Sequence, residues 1–447
     1  MRFSTTGAKN GNTVSFKEAV FHCLPQTGGL YIPAIMPDIR AAMYPMDEKA
    51  GYNELVAPVT GALLEDEMDE AGARRVAASC AGIAPELEIL DERFSILHLT
   101  NGPTGTFKDF SAAFLGAVLN ELLRPEEHLL VLSQAVQALG ASISGAFAPY
   151  PNITTVLLYP EGSIYGLNED AFRRPGSAGN IIPVRIAGSL DDCNRLINEI
   201  LLDEQWTRRY STTSATAINP ARLIPQAFFY VYAFIKLKKT LSQDLFFSVP
   251  SGNFGNLIAG LYAWKFGLPV NGFIAAMNIN NALGDLWKRR NLYPNAPDYK
   301  APPRSRPAVT LSPALDVHYP ANHELLLALY DEVPAVMRNM VFPQVITDEE
   351  TEKSMEFAWK RYNVILDPHS AVAFMAALKH AGRRDFDGHI VTLATGHPAR
   401  YPALLERVTG QKIDIPPRIA LLQKKSEPLA DIPCELDMLE SVIASCF

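Results

Sequence analysis

Apolar residues fall in short continuous runs from about residue 125 onward, separated by longer helical patterns. Runs without polar alternation are typical of strands buried on both faces of a parallel sheet. The alternation predicts an α/β architecture with a doubly wound parallel sheet. The predicted strands are His128–Ser133, Ile153–Tyr159, Ile181–Ile186, Leu245–Val249, Phe273–Met277 and His389–Leu393, and the main predicted helices are Leu190–Leu202, Ala221–Leu241, Leu257–Phe266 and Ala371–His380.

The first 90 or so residues have a different pattern, with more turns and several prolines. At roughly 100–200 residues per domain, 447 residues predict two or three domains. We therefore predict an N-terminal lobe over 1–92 and an α/β region over 93–447, whose smaller subdomain covers about 120–185. Prolines are dense over 294–320, which excludes regular helix and central strand there. A long loop of this kind is either functional or a plain linker.

The composition narrows the choice of partners. The net charge of −8 provides no basic footprint, so nucleic acid is not expected as the main partner. The five cysteines are scattered without metal-ligand spacing, which predicts reduced thiols and no metal site. The N-terminus has no apolar signal core, and the most apolar stretch is far shorter than the ~20 residues of a membrane span. We expect a cytoplasmic protein without membrane partners.

A glycine-containing loop over 248–256 carries the strongest local signal. It follows an apolar strand and precedes a helix predicted to begin near Leu257. Gly252 and Gly255 allow backbone N–H groups to converge on an anion, and the helix N-terminus adds its positive dipole end. The loop fits a phosphate, although it is neither a Walker A loop nor a dinucleotide fingerprint. Taken alone, such a turn is as often purely structural.

A turn built on Gly102, Pro103 and Gly105 precedes a helix predicted over 107–123. Lys108 lies in the first turn of that helix, where the positive end of the dipole disfavours a cation. A lysine with a lowered pKa in this place suits attack on an aldehyde. Local physics alone still favours a solvated lysine.

A third strand end leads into a helix at Thr395-Gly396-His397. Ligands of open parallel sheets bind at the carboxyl ends of the strands, so Thr395 and the 251–256 loop are expected to meet there. His397 is either catalytic or, more often for such a turn, structural.

Together these motifs resemble the threonine synthases that have an extra N-terminal lobe. The patterns Gly-Pro-Thr-x-x-Phe-Lys-Asp-Phe and Pro-Ser-Gly-Asn-Phe-Gly-Asn are highly specific. The resemblance covers nearly the whole chain, including the segments 15–19, 28–33, 102–110, 366–373 and 395–399. It implies the tryptophan-synthase-β-like fold (fold type II) of pyridoxal-phosphate enzymes.

The resemblance also implies roles for residues. The amine of Lys108 would link covalently to pyridoxal 5'-phosphate and carry protons during catalysis. Thr395 would hydrogen-bond the pyridine nitrogen and leave the ring a mild electron sink. The phosphate would be held by Gly252, Asn253, Phe254, Gly255 and Asn256. The family reaction converts O-phospho-L-homoserine and water to L-threonine and phosphate.

Two segments depart from the family pattern. Where members carry Thr-Ser-Gly-Asp-Thr-Gly, residues 135–140 read Ala-Val-Gln-Ala-Leu-Gly, and only Gly140 is retained. Where members carry Ser-Ala-Asn-Ser-Ile-Asn, residues 214–219 read Ser-Ala-Thr-Ala-Ile-Asn. Asn101 also replaces a frequent histidine. Loss of these polar groups is expected to weaken binding of a charged substrate.

Three readings stay open at this stage. The chain is a diverged threonine synthase with compensating contacts, a phospholyase for a related phosphoamino acid, or a catalytically weak or regulatory pyridoxal-phosphate-binding relative. The remaining candidates for substrate contacts are Asn219, Arg222, Asn278 and Asn280. We expect a monomer or homodimer.

Overall fold

The computed structural model describes residues 1–7, 12–136, 138–174, 179–281, 283, 307–317, 319–332 and 334–445. Among them, no helix is long and apolar enough to cross a membrane. The strands are β1 (Arg2–Thr5), β2 (Val14–Ser15), β3 (Tyr31–Pro33), β4 (Glu86–Ile89), β5 (Phe94–His98), β6 (Leu129–Gln134), β7 (Ile153–Tyr159), β8 (Ile164–Tyr165), β9 (Ile181–Ala187), β10 (Thr212–Ser214), β11 (Asp244–Pro250), β12 (Gly272–Met277), β13 (Val341–Val345), β14 (Gly388–Ala394), β15 (Lys425–Ser426) and β16 (Ala430–Pro433).

Helices surround the two larger sheets. They are α1 (Phe16–His22), α2 (Arg40–Met43), α3 (Tyr52–Leu64), α4 (Glu70–Ser79), α5 (Lys108–Leu122), α6 (Ala138–Phe147), α7 (Leu190–Leu202), α8 (Glu204–Arg209), α9 (Pro220–Leu223), α10 (Ala227–Leu237), α11 (Gly255–Lys265), α12 (His323–Glu332), α13 (Pro334–Met340), α14 (Asp348–Tyr362), α15 (Pro368–Ala381), α16 (Pro402–Thr409), α17 (Pro417–Leu421) and α18 (Leu436–Ala444). Short 3₁₀ turns occur at Glu169–Ala171, Ile224–Gln226, Pro313–Leu315 and Pro398–Arg400.

The larger sheet has the strand order β13-β12-β11-β14-β5-β4. Its pairs are parallel except for the antiparallel edge pair of β4 and β5. Every residue of β12 and β14 is buried, because helices cover both faces of the sheet centre. This explains why these strands read as continuous apolar runs in the sequence.

The smaller sheet is wholly parallel, in the order β10-β6-β7-β9-β16. Its three central strands lie within or close to the subdomain predicted over about 120–185, but β10 and β16 come from later in the chain. Strand β4 comes from the range predicted for the N-terminal lobe, and it pairs with β5 in the larger sheet. The predicted domain limits remain a proposal.

The N-terminal segment forms its own small antiparallel sheet, β2-β1-β3. It packs on the α/β region through aromatic contacts. The ring of Tyr52 in α3 meets that of Phe110 edge-on, with centroids 5.7 Å apart. Phe110 lies two residues after Lys108, so this lobe supports the helix that begins at Lys108.

The segment predicted as one helix over Ala221–Leu241 is instead three elements. Helix α9, the 3₁₀ turn Ile224–Gln226 and helix α10 follow one another. Pro225 causes the break, because proline has no N–H to donate and its ring clashes with the preceding turn of an α-helix. Helix α10 then ends at Leu237, four residues earlier than predicted.

Strand β13 was not predicted, because Pro343 interrupts its apolar pattern. It forms an edge of the larger sheet, where a proline is tolerated. Of the proline-rich segment predicted as a loop over 294–320, residues 307–317, 319 and 320 are described. They are irregular apart from the 3₁₀ turn Pro313–Leu315, while 294–306 and 318 lie outside the described residues.

The fold generates a stability prediction at Asn180, a buried amide that joins the start of β9 to the α6–β7 connection. Its Nδ2 donates to the carbonyls of Phe147, Tyr150 and Ile153 at 2.9, 2.8 and 2.8 Å. Asn180→Ala leaves buried carbonyls without a donor, so the free energy of unfolding should fall by about 1–3 kcal/mol. Chemical denaturation measures this change. The control Asn152→Ala removes one exposed hydrogen bond and should cost less; equal losses would contradict the prediction.

Candidate active site

The carboxyl ends of strands from the larger and the smaller sheet meet at one cavity of about 270 Å³. Gln134 and Ala215 come from the ends of β6 and β10 in the smaller sheet. Pro250 and Thr395 come from the ends of β11 and β14 in the larger sheet. This is where ligands of parallel α/β sheets bind.

Lys108 lines this cavity because its loop is paired with the end of β14. Thr106 forms a β-bridge with Gly396, and the Phe107 N–H donates to the Thr395 carbonyl at 3.2 Å. The His397 N–H donates to the Gly105 carbonyl at 2.8 Å. These bonds hold Lys108 and Thr395 at the same edge of the cavity.

The environment of Lys108 favours the neutral amine. Burial lowers the pKa of Lys108 to about 8, helped by the positive charges of Arg400 and Arg222 and opposed by the carboxylate of Asp109. Asp109 is itself held by Thr104, whose backbone N–H and hydroxyl donate to the carboxylate at 2.8 and 2.9 Å. A larger fraction of neutral amine makes Lys108 a better nucleophile at neutral pH.

The 252–256 loop combines an unusual backbone conformation with unpaired N–H donors. Phe254 has a φ of +60°, the left-handed conformation that a bulky residue rarely adopts and that persists only where its surroundings enforce it. Helix α11 begins at Gly255, so its free N–H groups face the loop. The Nδ2 of Asn256 is buried without a partner among the described residues, whereas its Oδ1 accepts from the Tyr230 hydroxyl at 3.0 Å. A bound anion would supply the missing acceptor.

Close packing also requires glycine at position 252 of this loop. A Cβ on Gly252 would lie 2.6 Å from the carbonyl oxygen of Ala314. Asn253 contributes its own backbone and side chain to the frame, because its Oδ1 accepts from Ala321 N–H at 3.0 Å and its carbonyl accepts from Asn322 at 3.1 Å. These hydrogen bonds fix the loop against residues 321 and 322.

Asp367 is fully buried near Thr395, to which it is linked through Ser370. Its carboxylate accepts from the hydroxyl and N–H of Ser370 and from Nδ1 of His369, the last at 2.6 Å. Burial raises the pKa of Asp367, but hydrogen bonds from His369 and Ser370 outweigh burial and hold the pKa below its usual value. The group is a stable carboxylate at neutral pH.

Arg222 is a buried cation at the cavity. Its Nε donates to the Ser111 hydroxyl at 3.1 Å and its Nη1 to the Ala215 carbonyl at 2.9 Å. Burial lowers the pKa of Arg222 to about 10, with the charge of Asp109 opposing the shift. No carboxylate among the described residues forms an ion pair with it, so the guanidinium is available to an anionic ligand.

Comparisons with known proteins identify the family. A profile described as "Threonine synthase N terminus" matches residues 2–80, and one described as "Threonine synthase, C-terminal" matches residues 370–443. The threonine synthase of Escherichia coli is 32% identical over 408 residues, which cover 91% of each chain. That of Serratia marcescens is 32% identical over 410 residues and covers the same shares. The chain belongs to the threonine synthase family.

The solved structures agree with this assignment. The crystal structure of threonine synthase from Escherichia coli matches with a TM-score of 0.82 and 29% identity over all of both chains. The "PLP bound" threonine synthase of Brucella melitensis matches in fold, with a TM-score of 0.83 at 24% identity over 100% of this chain and 99% of that one. The predicted α/β fold class is confirmed.

Both segments that depart from the threonine synthase pattern face the cavity. Val136 and Leu139 line it after β6, and Ala215 and Ala217 line it after β10. Together with Leu190, they form what we call the apolar wall. Gln137 lies outside the described residues, and Gly140 is retained because a Cβ there would lie 2.1 Å from the Tyr159 hydroxyl.

Three of the predicted substrate-contact residues lie outside this cavity lining, and a substrate role for them stays a prediction. Asn219 caps helix α9 and donates to the Val20 and Ser214 carbonyls at 3.0 and 2.9 Å. Asn278 and Asn280 bond to Asp316 at 2.8 and 3.2 Å. Their amides are occupied in fixing backbone and loops. Arg222 is the predicted substrate residue that the structure brings to the cavity.

Several lining residues were not predicted from the sequence. Arg400 lies three residues after the Thr395-Gly396-His397 motif. Asp367 and His369 lie in the segment 366–373, which contributed only to the family resemblance. Gln226 donates through Nε2 to the Arg222 carbonyl at 2.7 Å, which leaves its Oε1 buried without a partner among the described residues. The Oε1 of Gln134 is likewise unpaired.

His397 does not line the cavity. Its Nδ1 accepts from the Ala399 N–H at 3.1 Å, which favours a structural role for His397 over a catalytic one.

The charges around Lys108 generate a pH prediction. In protein free of cofactor, the rate at which an uncharged acylating reagent modifies Lys108 should rise with pH. The midpoint of this rise should lie near pH 8, because the pKa of Lys108 is about 8. An ordinary lysine has a midpoint of about 10.4. Arg400→Gln removes a positive charge that disfavours the ammonium form, so the midpoint should move to higher pH. Mass spectrometry of the labelled Lys108 peptide measures the rates.

The control for this experiment is Arg407→Gln, which removes an exposed guanidinium paired with Glu352. It should leave the Lys108 midpoint unchanged. A wild-type midpoint near that of free lysine, or equal midpoints in wild type and Arg400→Gln, would contradict the electrostatic account.

Proposed function

We propose that this chain is a threonine synthase that converts O-phospho-L-homoserine and water to L-threonine and phosphate. The single observation that carries the proposal is the meeting of Lys108, the 252–256 loop and Thr395 at one cavity of a chain in this family. The reactive amine and the anion-binding loop are both available without rearrangement of the fold.

The cavity fits pyridoxal 5'-phosphate. Lys108 offers a partly neutral amine for the aldehyde, Gly252–Asn256 offers the phosphate site, and the hydroxyl of Thr395 offers a partner for the ring nitrogen. The unpaired Nδ2 of Asn256 supports this fit, because a buried donor without an acceptor is rare. When bound, this cofactor withdraws electrons from the substrate carbons, which permits loss of phosphate at Cγ and addition of water at Cβ.

The side chains of this chain supply proton transfer and binding. Lys108 moves protons at Cα, Cβ and Cγ, because a pKa of about 8 lets the amine both accept and release a proton near neutral pH. Arg222 binds an anionic group of the substrate with the guanidinium donors that Ser111 and Ala215 do not use. The apolar wall excludes water other than the reacting molecule and strengthens these electrostatic interactions.

A second candidate function is favoured by the apolar wall alone. Where the family pattern has hydroxyl residues, this chain presents Val136, Leu139 and Ala217 at the cavity, and Ala138 stands in place of the carboxylate. Such a wall suits a phospholyase that acts on a phosphoamino acid with a different carbon skeleton.

Monomeric or homodimeric assembly, a cytoplasmic location and the absence of nucleic-acid partners remain predictions.

The first test concerns Lys108. The protein with pyridoxal phosphate should show a visible absorbance band that borohydride fixes covalently to Lys108. Lys108→Ala should lose the fixed label and at least about 10³-fold of turnover, since positioned acid–base catalysis alone contributes 10²–10⁴-fold. The control Lys353→Ala removes an exposed lysine paired with Glu349 and should retain both. Full activity of Lys108→Ala would refute the proposal.

The second test separates the two candidate functions. Phosphate release and amino-acid products are measured with O-phospho-L-homoserine, phosphothreonine and phosphoserine as substrates. A threonine synthase releases phosphate and L-threonine in equal amounts from the first. Release from phosphothreonine or phosphoserine alone, with an intact cofactor band, would favour the phospholyase. No release from any of the three would leave only a cofactor-binding role.

A further inference from the structure

A chain of hydrogen bonds along the cavity runs from Thr395 to Ala314, which packs against Gly252 of the 252–256 loop. At its first end, the Thr395 N–H donates to the Ser370 hydroxyl oxygen at 3.1 Å, and that hydroxyl donates to Asp367. Gly396 lies against the same carboxylate, where a Cβ would be 2.6 Å from Oδ2. The backbone at the end of β14 is thus fixed on Asp367.

His369 extends the chain to the other side of the cavity. Its Nε2 accepts from the Ala314 N–H at 3.0 Å, so this nitrogen carries no proton. The proton of the neutral ring is then on Nδ1, which donates to Asp367 at 2.6 Å. Both ring nitrogens are occupied, and the ring has one orientation.

Ala314 in turn packs against the 252–256 loop. Its carbonyl oxygen would be 2.6 Å from a Cβ on Gly252, and the Leu315 Cα would be 3.2 Å from that same atom. Ala314 and Leu315 both line the cavity. The position of this turn therefore determines the space above Gly252.

We propose that Asp367 and His369 are positioning residues that fix the distance between Thr395 and the 252–256 loop. This inference rests on the proposed function, because it assumes that the cofactor spans these two ends, with its ring at Thr395 and its phosphate at the loop. A displacement of about 1 Å in such a site is costly to binding and catalysis. These hydrogen bonds and the packing of Ala314 on Gly252 set the spacing.

A purely structural role does not account for all of these contacts. Asp367 is the N-cap of helix α15 and accepts from the Ser370 N–H at 3.1 Å, which any N-cap aspartate does. An N-cap has no use for the His369 side chain or for its bond to Ala314, which belongs to a separate loop. These additional contacts join the two walls of the cavity.

Two substitutions at His369 separate the two halves of its role. His369→Asn retains a donor close to the Nδ1 position for Asp367 but is too short to reach Ala314. His369→Gln places an oxygen near the former Nε2 and keeps the Ala314 bond. We expect His369→Asn to raise the Kd for pyridoxal phosphate and the KM for the phosphoamino acid by about tenfold each, the order of one lost hydrogen bond. His369→Gln loses the donor to Asp367 instead, which breaks the same chain at its other link, so it should raise both constants by a similar factor.

The matched control is His380→Asn. His380 is buried in the same helix α15, packs on Phe246, Phe342 and Phe386, and is absent from the cavity lining. It should lower thermal stability without changing the Kd or KM of folded protein. Fluorescence titration of cofactor-free protein gives the Kd, and initial rates of the reconstituted enzyme give KM and kcat separately.

Ser370→Ala tests the other end of the chain and retains the N-cap carboxylate. It frees the Thr395 N–H, so the visible absorbance maximum of the reconstituted enzyme should shift with little change in stability. If His369→Asn matches His380→Asn in Kd and KM, or if Ser370→Ala leaves the spectrum unchanged, the positioning role is overturned. Wild-type protein that binds no pyridoxal phosphate would instead overturn the proposed function, and this inference with it.

Discussion

The pairing of the Lys108 loop with the end of β14 is the constraint on which the site depends. It joins segments from distant parts of the chain through the Thr106–Gly396 bridge and the bonds beside it. Two glycines make this approach possible. A Cβ on Gly105 would lie 2.5 Å from Ile419, and one on Gly396 would lie 2.6 Å from Asp367. Without this contact, Lys108 would begin a helix with no defined relation to Thr395.

The buried strands were predictable because their signal is local and continuous. The predicted limits Ile153–Tyr159 agree with β7, and the other predicted strands differ from the observed ones by one residue at one or both ends. Two elements that contain proline were predicted less well. Pro225 divides what reads as one long apolar helix, and Pro343 hides an edge strand, because a residue preference does not indicate which neighbours supply the missing hydrogen bonds.

The candidate site residues were predictable from whole motifs and not from single residues, because local physics alone favours a solvated lysine at position 108 and a structural role for the glycine turn. Amides show the same limit. Asn219 and Asn278 donate to backbone and loop atoms, whereas Gln226 keeps an acceptor at the cavity that is unpaired among the described residues. The sequence does not distinguish these cases. Only the fold shows which polar atoms are already bonded.

The apolar wall has a consequence for how such an enzyme diversifies. Its residues follow strands of the smaller sheet, whereas Gly252 and Thr395 follow strands of the larger one. Under the proposed function, substrate selection and cofactor binding are thus encoded on separate sheets. In that case, substitutions at Val136 or Ala217 change which substrate is accepted and leave the cofactor site unchanged. The fold therefore allows the substrate to change through residues of one sheet while the residues of the other sheet stay the same.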